Sequence, residues 1–181
     1  LLSSKRDSEY VASVISAWAD RYLEIAGGAP APPVPRGHVR VQERDHKFTQ
    51  DVSSDSHSWL ADEPRAVGGK DLGPDPYEHL LAALGTCTAM TLQMYARRKG
   101  WDLQNAEVHT SYSKDHAVDS RGFEQDSAKI DTFRRVLRLS GNLDQAQRQR
   151  LVEIAEKCPV HRTLHSTTQV LTSLTEEDHR G

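Results

Sequence analysis

Asp75-Pro76-Tyr77-Glu78-His79-Leu80-Leu81-Ala82-Ala83-Leu84-Gly85-Thr86-Cys87-Thr88-Ala89-Met90 opens the element that decides the fold. Asp75 is placed to cap a helix, and Pro76 suits its first turn, where a backbone N–H would lack a partner anyway. Glu78, at the third helical position, completes a capping box. The pattern predicts a helix running to Lys99, stopped by Gly100, about 36 Å long. Leu80, Leu84, Cys87, Thr91 and Met94 form one predicted stripe, which turns Cys87 towards packed atoms. Ala82, Ala83, Gly85 and Ala89 give a surface of small residues, as expected of a central helix closely approached by other elements. The basic cluster Arg97-Arg98-Lys99 falls in the last turn, where it complements the helix dipole.

Upstream of this helix, three short strands are predicted. Val39 and Val41 alternate with polar residues, Phe48 and Val52 lie in the next segment, and His57 to Ala61 carries Trp59 and Leu60. Arg44-Asp45-His46 and Ser53-Ser54-Asp55-Ser56 supply the turns, and Asp62 to Pro74 reads as a loop rich in Gly and Pro. Downstream, Ala106, Val108, Thr110 and Tyr112 share one face of a strand, and a second strand spans about Ile130 to Ser140. Between them the polar stretch Lys114 to Ser127 reads as an exposed loop. Asn142 and Gln145 suggest a second capping box, opening a helix through Lys157 with Leu151, Ile154 and Ala155 inward. Cys158 extends that face, Pro159 breaks the helix, Val160 to Leu164 makes a further turn, and Thr167 to Leu174 is expected as a final strand. The order βββ-α-ββ-α-β is that of an α+β fold.

Before the strands, Asp7 to Ile25 reads as an amphipathic helix capped by Asp7, with Val11, Val14, Ile15, Trp18, Tyr22 and Ile25 at helical spacing. Gly27-Gly28 ends it. Prolines at 30, 32, 33 and 35 favour extended backbone and a stiff linker. The expected division is therefore an N-terminal helix over 1–28, a linker over 29–36 and a main domain over 37–181.

The 181 residues carry a formal net charge of -3, which leaves no electrostatic footprint for nucleic acid. Leu80 to Met94, the longest apolar-rich run without charge, is too short to cross a bilayer. Two cysteines cannot build a disulfide scaffold, and two free thiols suit a cytoplasmic protein. Hydrolase elbows, phosphate-binding glycine loops, dinucleotide fingerprints and metalloprotease motifs are all missing from the sequence. What remains is the thiol pair and the histidines after the second thiol. Three readings stay open on residue chemistry alone. Buried cysteines are commonly small hydrophobes. Cys158, followed by a new helical turn, His161 and Arg162, is placed for a favoured thiolate and a redox role. Cys158, His161 and His165, with Cys87, could instead ligate zinc. Glu78 is a candidate general base, but nine residues before Cys87 it lies about half a turn around the helix and about 13 Å along it. It could then act only across a subunit interface or at a kink.

Three stretches carry a family resemblance. They are Gly68-Gly69-Lys70-Asp71-Leu72-Gly73-Pro74 with the helix start that follows it, Tyr95 to Trp101, and Cys158-Pro159-Val160-His161-Arg162-Thr163-Leu164. Together they resemble the OsmC-like branch of the OsmC/Ohr family, over about residues 37 to 175. The resemblance implies an intertwined homodimer that reduces organic hydroperoxides and needs no cofactor. It assigns Cys87 as the attacking thiol, Cys158 as the resolving thiol, and a dithiol as the reductant that closes the cycle. It also implies an arginine from the N-terminal hairpin, for which Arg44 and Arg40 compete, and a glutamate ten residues before the attacking thiol. That last position holds Tyr77, with Glu78 one residue on. Related proteins carry a cysteine pair where Ser120 and Phe123 stand here. Leu1-Leu2-Ser3-Ser4, Glu9-Tyr10-Val11-Ala12 and Trp18 to Leu23 in turn resemble the last helix of an α/β-hydrolase domain. Fusion of such a domain to an OsmC-like one would make this chain a C-terminal piece, the other reading being a helix docked on its own dimer. A thiol peroxidase is the first expectation. The alternatives are an OsmC-fold protein that binds an apolar ligand or senses oxidant without efficient turnover, and a zinc-stabilised domain.

Overall fold

The computed structural model describes residues 4–22, 33–116 and 129–174. Two compact units are delimited, one within Leu1–Val41 and Val52–Ser58, the other within Gln42–Asp51 and Trp59–Gly181. The first unit holds helix α1, Lys5–Tyr22. Its cap is Ser4 rather than the expected Asp7: the Asp7 N–H donates to Ser4 Oγ at 3.1 Å, so Asp7 sits inside the first turn. Tyr10, Val14 and Ile15 are exposed. Val11 of the expected stripe is half-buried, while Ile25, the glycine stop and prolines 30 and 32 lie outside what is described.

Strands β1 (Arg40–Glu43), β2 (Gln50–Ser53) and β3 (Ser58–Ala61) are neighbours in that order in one sheet. Within the larger unit, the loop after β3 is held by a residue the sequence pattern did not single out. Asp62 is buried, and its carboxylate accepts the backbone N–H groups of Glu63 (2.8 Å), Lys70 (3.1 Å) and Leu72 (3.3 Å). The Thr49 hydroxyl bridges Asp62 (3.4 Å) and Asp45 (2.8 Å), and Asp45 pairs with the Lys70 ammonium at 2.6 Å. Burial alone would raise the Asp62 carboxyl, but these donors outweigh it and hold it below the usual carboxylate range. Gly69 and Gly73 of this loop are there for space. A Cβ on Gly69 would stand 1.8 Å from the Glu63 carbonyl oxygen, and one on Gly73 2.0 Å from that of Leu60.

The loop delivers the chain to helix α2, Pro76–Lys99, whose ends match the sequence reading. The Glu78 N–H donates to Asp75 Oδ1 (2.8 Å), the Asp75 N–H donates to Glu78 Oε2 (2.9 Å), and Gly100 closes the helix at φ 66°. The buried stripe, however, is Leu84, Thr88, Leu92 and Ala96. The expected stripe, drawn through Leu80, Cys87, Thr91 and Met94, is shifted because only Leu84 of its five members is fully buried. Cys87 lies on the flank of the true buried face.

Strands β4 (Asn105–His116) and β5 (Lys129–Ser140) pair antiparallel along their whole length, Asn105 opposite Ser140 and His116 opposite Lys129. β4 thus continues past Lys114, where a loop was expected; residues 117–128, with Ser120 and Phe123, are outside the described set. α2 lies against this ribbon at Gly85, where a Cβ would make ordinary contact with the Thr110 methyl at 3.5 Å, and the Thr110 hydroxyl donates to the Leu81 carbonyl at 3.2 Å. Helix α3, Gln145–Ala155, is capped by Asp144 with Gln147, two residues beyond the expected Asn142 and Gln145. The Asn142 N–H is already taken by the Asp102 carboxylate at 3.1 Å, which keeps that residue in the turn. Leu92, Ala96, Leu103, Leu143, Leu151, Ile154 and Ala155 form the core that joins α2 to α3.

After Cys158 a short helix α4, Pro159–His165, follows. The expected final strand does not form: residues 167–174 hold no regular structure, and Val170, Leu171 and Leu174 are more than four-fifths exposed. A strand needs a hydrogen-bonded neighbour as well as a favourable composition, and none of the described strands pairs with this segment.

Candidate functional site

Cys87 comes from the middle of α2 and Cys158 from the junction of α3 and α4, and the fold brings their sulfurs close enough to influence each other's acidity. Both are free thiols. The junction arises from local chemistry. α3 ends at Ala155, the Cys158 N–H turns back to the Ala155 carbonyl (3.3 Å), and Pro159 starts α4 because a proline tolerates only a first helical turn. The backbone N–H groups of Val160 and His161, left without intrahelical partners at that start, point at sulfur.

The two thiols differ in exposure and acidity. Cys87 is half-buried, whereas Cys158 is 0% exposed. Burial pushes the Cys87 thiol up, and donating its proton towards Cys158 pushes it further; the Val160 N–H and the Thr91 hydroxyl oppose this without reversing it. Burial also pushes Cys158 up, but here the opposing donors win. The His161 N–H, the Cys87 thiol, the Thr88 hydroxyl and the Val160 N–H together hold it below the ordinary thiol range. Of the two, the enclosed sulfur is the one whose thiolate is the more favoured. Such a pair titrates as a unit.

The other two expected site residues stand apart from this corner. Arg44 forms a forked pair with Asp51, with Nε 3.0 Å from Oδ2 and Nη2 on Oδ1, which raises the guanidinium further. Glu78 is engaged with the Asp75 N–H in the capping box. Among the described residues, neither contacts either thiol. Tyr77, at the position of the family's glutamate, stacks on Tyr112 with ring centroids 4.3 Å apart. Among the described residues no cluster of three or more His, Cys, Asp and Glu is arranged to hold a metal ion, so the zinc reading finds no support. His161 Nδ1 faces the Arg135 guanidinium at 3.3 Å, a neighbour hostile to a cation.

Arg135 escaped the sequence reading. On β5 it looked like one more strand residue, yet its Nη1 reaches Thr88 Oγ1 at 2.9 Å and the Ala155 carbonyl at 2.8 Å. The signal available was faint: a second arginine in Phe133-Arg134-Arg135-Val136, on the face where Phe133 and Leu137 turn inward. Beside it lies a cavity of about 600 Å³ with Leu84, Phe133, Val136, Leu137, Val152 and Leu164 among its walls.

The family model for OsmC-like protein matches residues 68–173, which spans the α2 start, both cysteines and α4. No curated protein sequence matches the chain. Among solved structures, an OsmC-like protein from Mycoplasma pneumoniae is similar at 15% identity and a TM-score of 0.56, covering 71% of this chain and 86% of that one. An organic hydroperoxide resistance protein OsmC from Legionella pneumophila is similar at 15% identity and a TM-score of 0.51, covering 70% and 87%. One from Elizabethkingia anophelis gives 15%, 0.51, 70% and 86%. At such identities the likeness is one of fold.

Proposed function

The chain belongs to the OsmC-like protein family, and on that premise we propose that it reduces organic hydroperoxides through Cys87 and Cys158. One observation carries the reading: a half-exposed thiol on α2 lies beside a wholly enclosed, thiolate-favouring one. A peroxide can reach Cys87 and not Cys158, so Cys87 attacks and Cys158 resolves. The Cys158 thiolate accepts the Cys87 proton as the Cys87 sulfur takes the distal peroxide oxygen. The O–O bond breaks, sulfur is oxidised by two electrons to a sulfenic acid, and the alkoxide leaves as alcohol with the proton returned by Cys158. The Cys158 thiolate then attacks the sulfenic sulfur, the S–S bond forms, and hydroxide leaves to be protonated to water. A dithiol reduces the disulfide by exchange, restoring both thiols.

The protein acts as a homodimer in this proposal. Tyr77, Leu80, Met90 and Met94 of α2 are exposed, the two methionines by 65% and 71%, an apolar face that an obligate partner would cover. Within one chain Arg44 and Glu78 are held by Asp51 and Asp75, so they assist Cys87 only across that interface. No described helix is long and apolar enough to cross a membrane, and the proposed site of action is the cytoplasm. The test is consumption of cumene hydroperoxide by the purified protein with excess dihydrolipoamide. Multiple turnovers that vanish in Cys87→Ser support the reading; consumption no faster than the dithiol alone removes it. A second reading, ligand binding without turnover, draws on the apolar-walled cavity of about 600 Å³, a volume suited to a small molecule. Saturable binding of an apolar fluorophore with no hydroperoxide turnover would favour it.

A further inference from the structure

We propose that Arg135 is the positioning residue of the thiol pair: from β5 its guanidinium ties α2, the end of α3 and the start of α4 together around Cys158, and so fixes Cys158 against Cys87. The proposal rests on the thiol chemistry above and goes beyond it by naming what holds the resolving sulfur in reach.

The geometry is specific. Nη1 has two hydrogens and spends one on Thr88 Oγ1 (2.9 Å) and one on the Ala155 carbonyl (2.8 Å), while Nη2 donates to His161 Nδ1 (3.3 Å). Each partner sits next to a thiol in sequence or contact. Thr88 follows Cys87 and its hydroxyl meets the Cys158 sulfur. The Ala155 carbonyl also accepts the Cys158 N–H (3.3 Å), and the His161 N–H points at the Cys158 sulfur. With Arg135 occupying a lone pair of the Thr88 oxygen, the single hydroxyl hydrogen is left to the Leu84 carbonyl (2.7 Å) or to Cys158. Because a guanidinium can only donate, His161 Nδ1 must accept, which places the imidazole hydrogen on Nε2 and keeps the ring neutral.

The expenditure of charge is the telling feature. Among the described residues Arg135 makes no ion pair, although Asp131 and Glu156 line the same cavity. A half-buried guanidinium normally finds a carboxylate. Here all three bonds go to neutral acceptors on three different elements, a pattern that serves geometry rather than charge balance. The bonds also cross the one junction that Pro159 leaves without helical continuity. Without them no described hydrogen bond ties the start of α4 to β5, and the hold on Cys158 loosens. A displacement of about 1 Å at a reacting atom can cost about a hundredfold in rate.

The test separates the two chemical steps in single turnover with one equivalent of cumene hydroperoxide. Sulfenic acid at Cys87 is followed by dimedone trapping, and the Cys87–Cys158 bridge by mass mapping after rapid quench. In Arg135→Gln, at a pH above the usual thiol range, where Cys87 ionises without Cys158 to take its proton, sulfenic acid should form within about twofold of the wild-type rate, while the bridge forms at least about tenfold more slowly. Arg135→Lys, which keeps one donor head but not the fork, should fall between the two. A merely structural role would slow both steps alike, and that result, or wild-type bridging in folded Arg135→Gln, overturns the proposal. Should Arg135→Gln fail to fold, Arg135→Lys, which keeps the cation but loses the fork, carries the same expectation in smaller degree and the same refutation. If the wild-type protein itself never forms the bridge, the thiol reading fails first and takes this one with it.

Discussion

The corner around Cys158 and the hairpin arm around Arg44 were both expected to serve one reaction, and they are built in opposite ways. At the corner, α2, β5, α3 and α4 each contribute a bond, and the sulfur they surround is fully enclosed. On the arm, Arg44 meets Asp51 on the neighbouring strand, and Glu78 meets Asp75 three residues away, all at exposed or half-exposed positions. Burial by several elements tunes a group, because the same low polarity that penalises a charge also strengthens each bond to it. An exposed pair is screened by water and is worth little, so it is easily exchanged for another partner. The corner is finished within one chain. In the proposed homodimer the arm is available to a second.

The largest effect should come from the corner. Cys87→Ser should lower hydroperoxide turnover by more than about a thousandfold, since no other described thiol remains exposed. Cys158→Ser should complete one oxidation and stop with a trapped sulfenic acid. If Cys158→Ser blocks that first oxidation instead, the attacking and resolving roles are reversed.

A change of about tenfold or more should appear in the pH dependence of the first step. Cys158 is depressed and Cys87 raised relative to ordinary thiols. In the wild type the rate should rise from acid and level off as Cys158 loses its proton, below the usual thiol range of about 8.5. In Cys158→Ser the basic partner is gone while Cys87 stays raised by burial, so the rate should still climb above that range. Coincident stopped-flow profiles for the two proteins would show that Cys158 takes no proton from Cys87.

What could be read from sequence alone follows the range of the forces. The α2 caps are local, three residues apart, and Asp75, Glu78 and Gly100 were legible as they stand. The α3 cap was misplaced by two residues because the Asp102 carboxylate, from another turn, claims the Asn142 N–H. Asp62 and Arg135 were invisible for the same reason: each acts through partners at least eight residues away, apart from the Glu63 N–H. The segment 167–174 has a strand's composition but lacks the neighbour that would make it one. Cys87 and Cys158 were legible as chemistry, while their contact, 71 residues apart, came only from family resemblance.

Smaller effects should belong to the arm and the first helix. Glu78→Ala removes one capping-box bond and should cost about 0.5–1 kcal/mol of stability in chemical denaturation, with the thiol–disulfide equilibrium unmoved. A shifted equilibrium in glutathione buffers would place Glu78 at the corner after all. Deleting residues 1–34 should change least. The proposed independence of this helix from the thiol domain predicts a melting temperature within a few degrees of the full chain. A large drop would make the helix part of that domain and end the hydrolase-remnant reading.

The most direct measurement is mass mapping of non-reduced peptides after one equivalent of cumene hydroperoxide. The expected result is a single new bridge joining Cys87 to Cys158 within one chain, formed in near-stoichiometric yield. Both thiols remaining free while methionines oxidise, or a bridge joining two chains through Cys87 alone, would contradict a finished thiol pair at this corner.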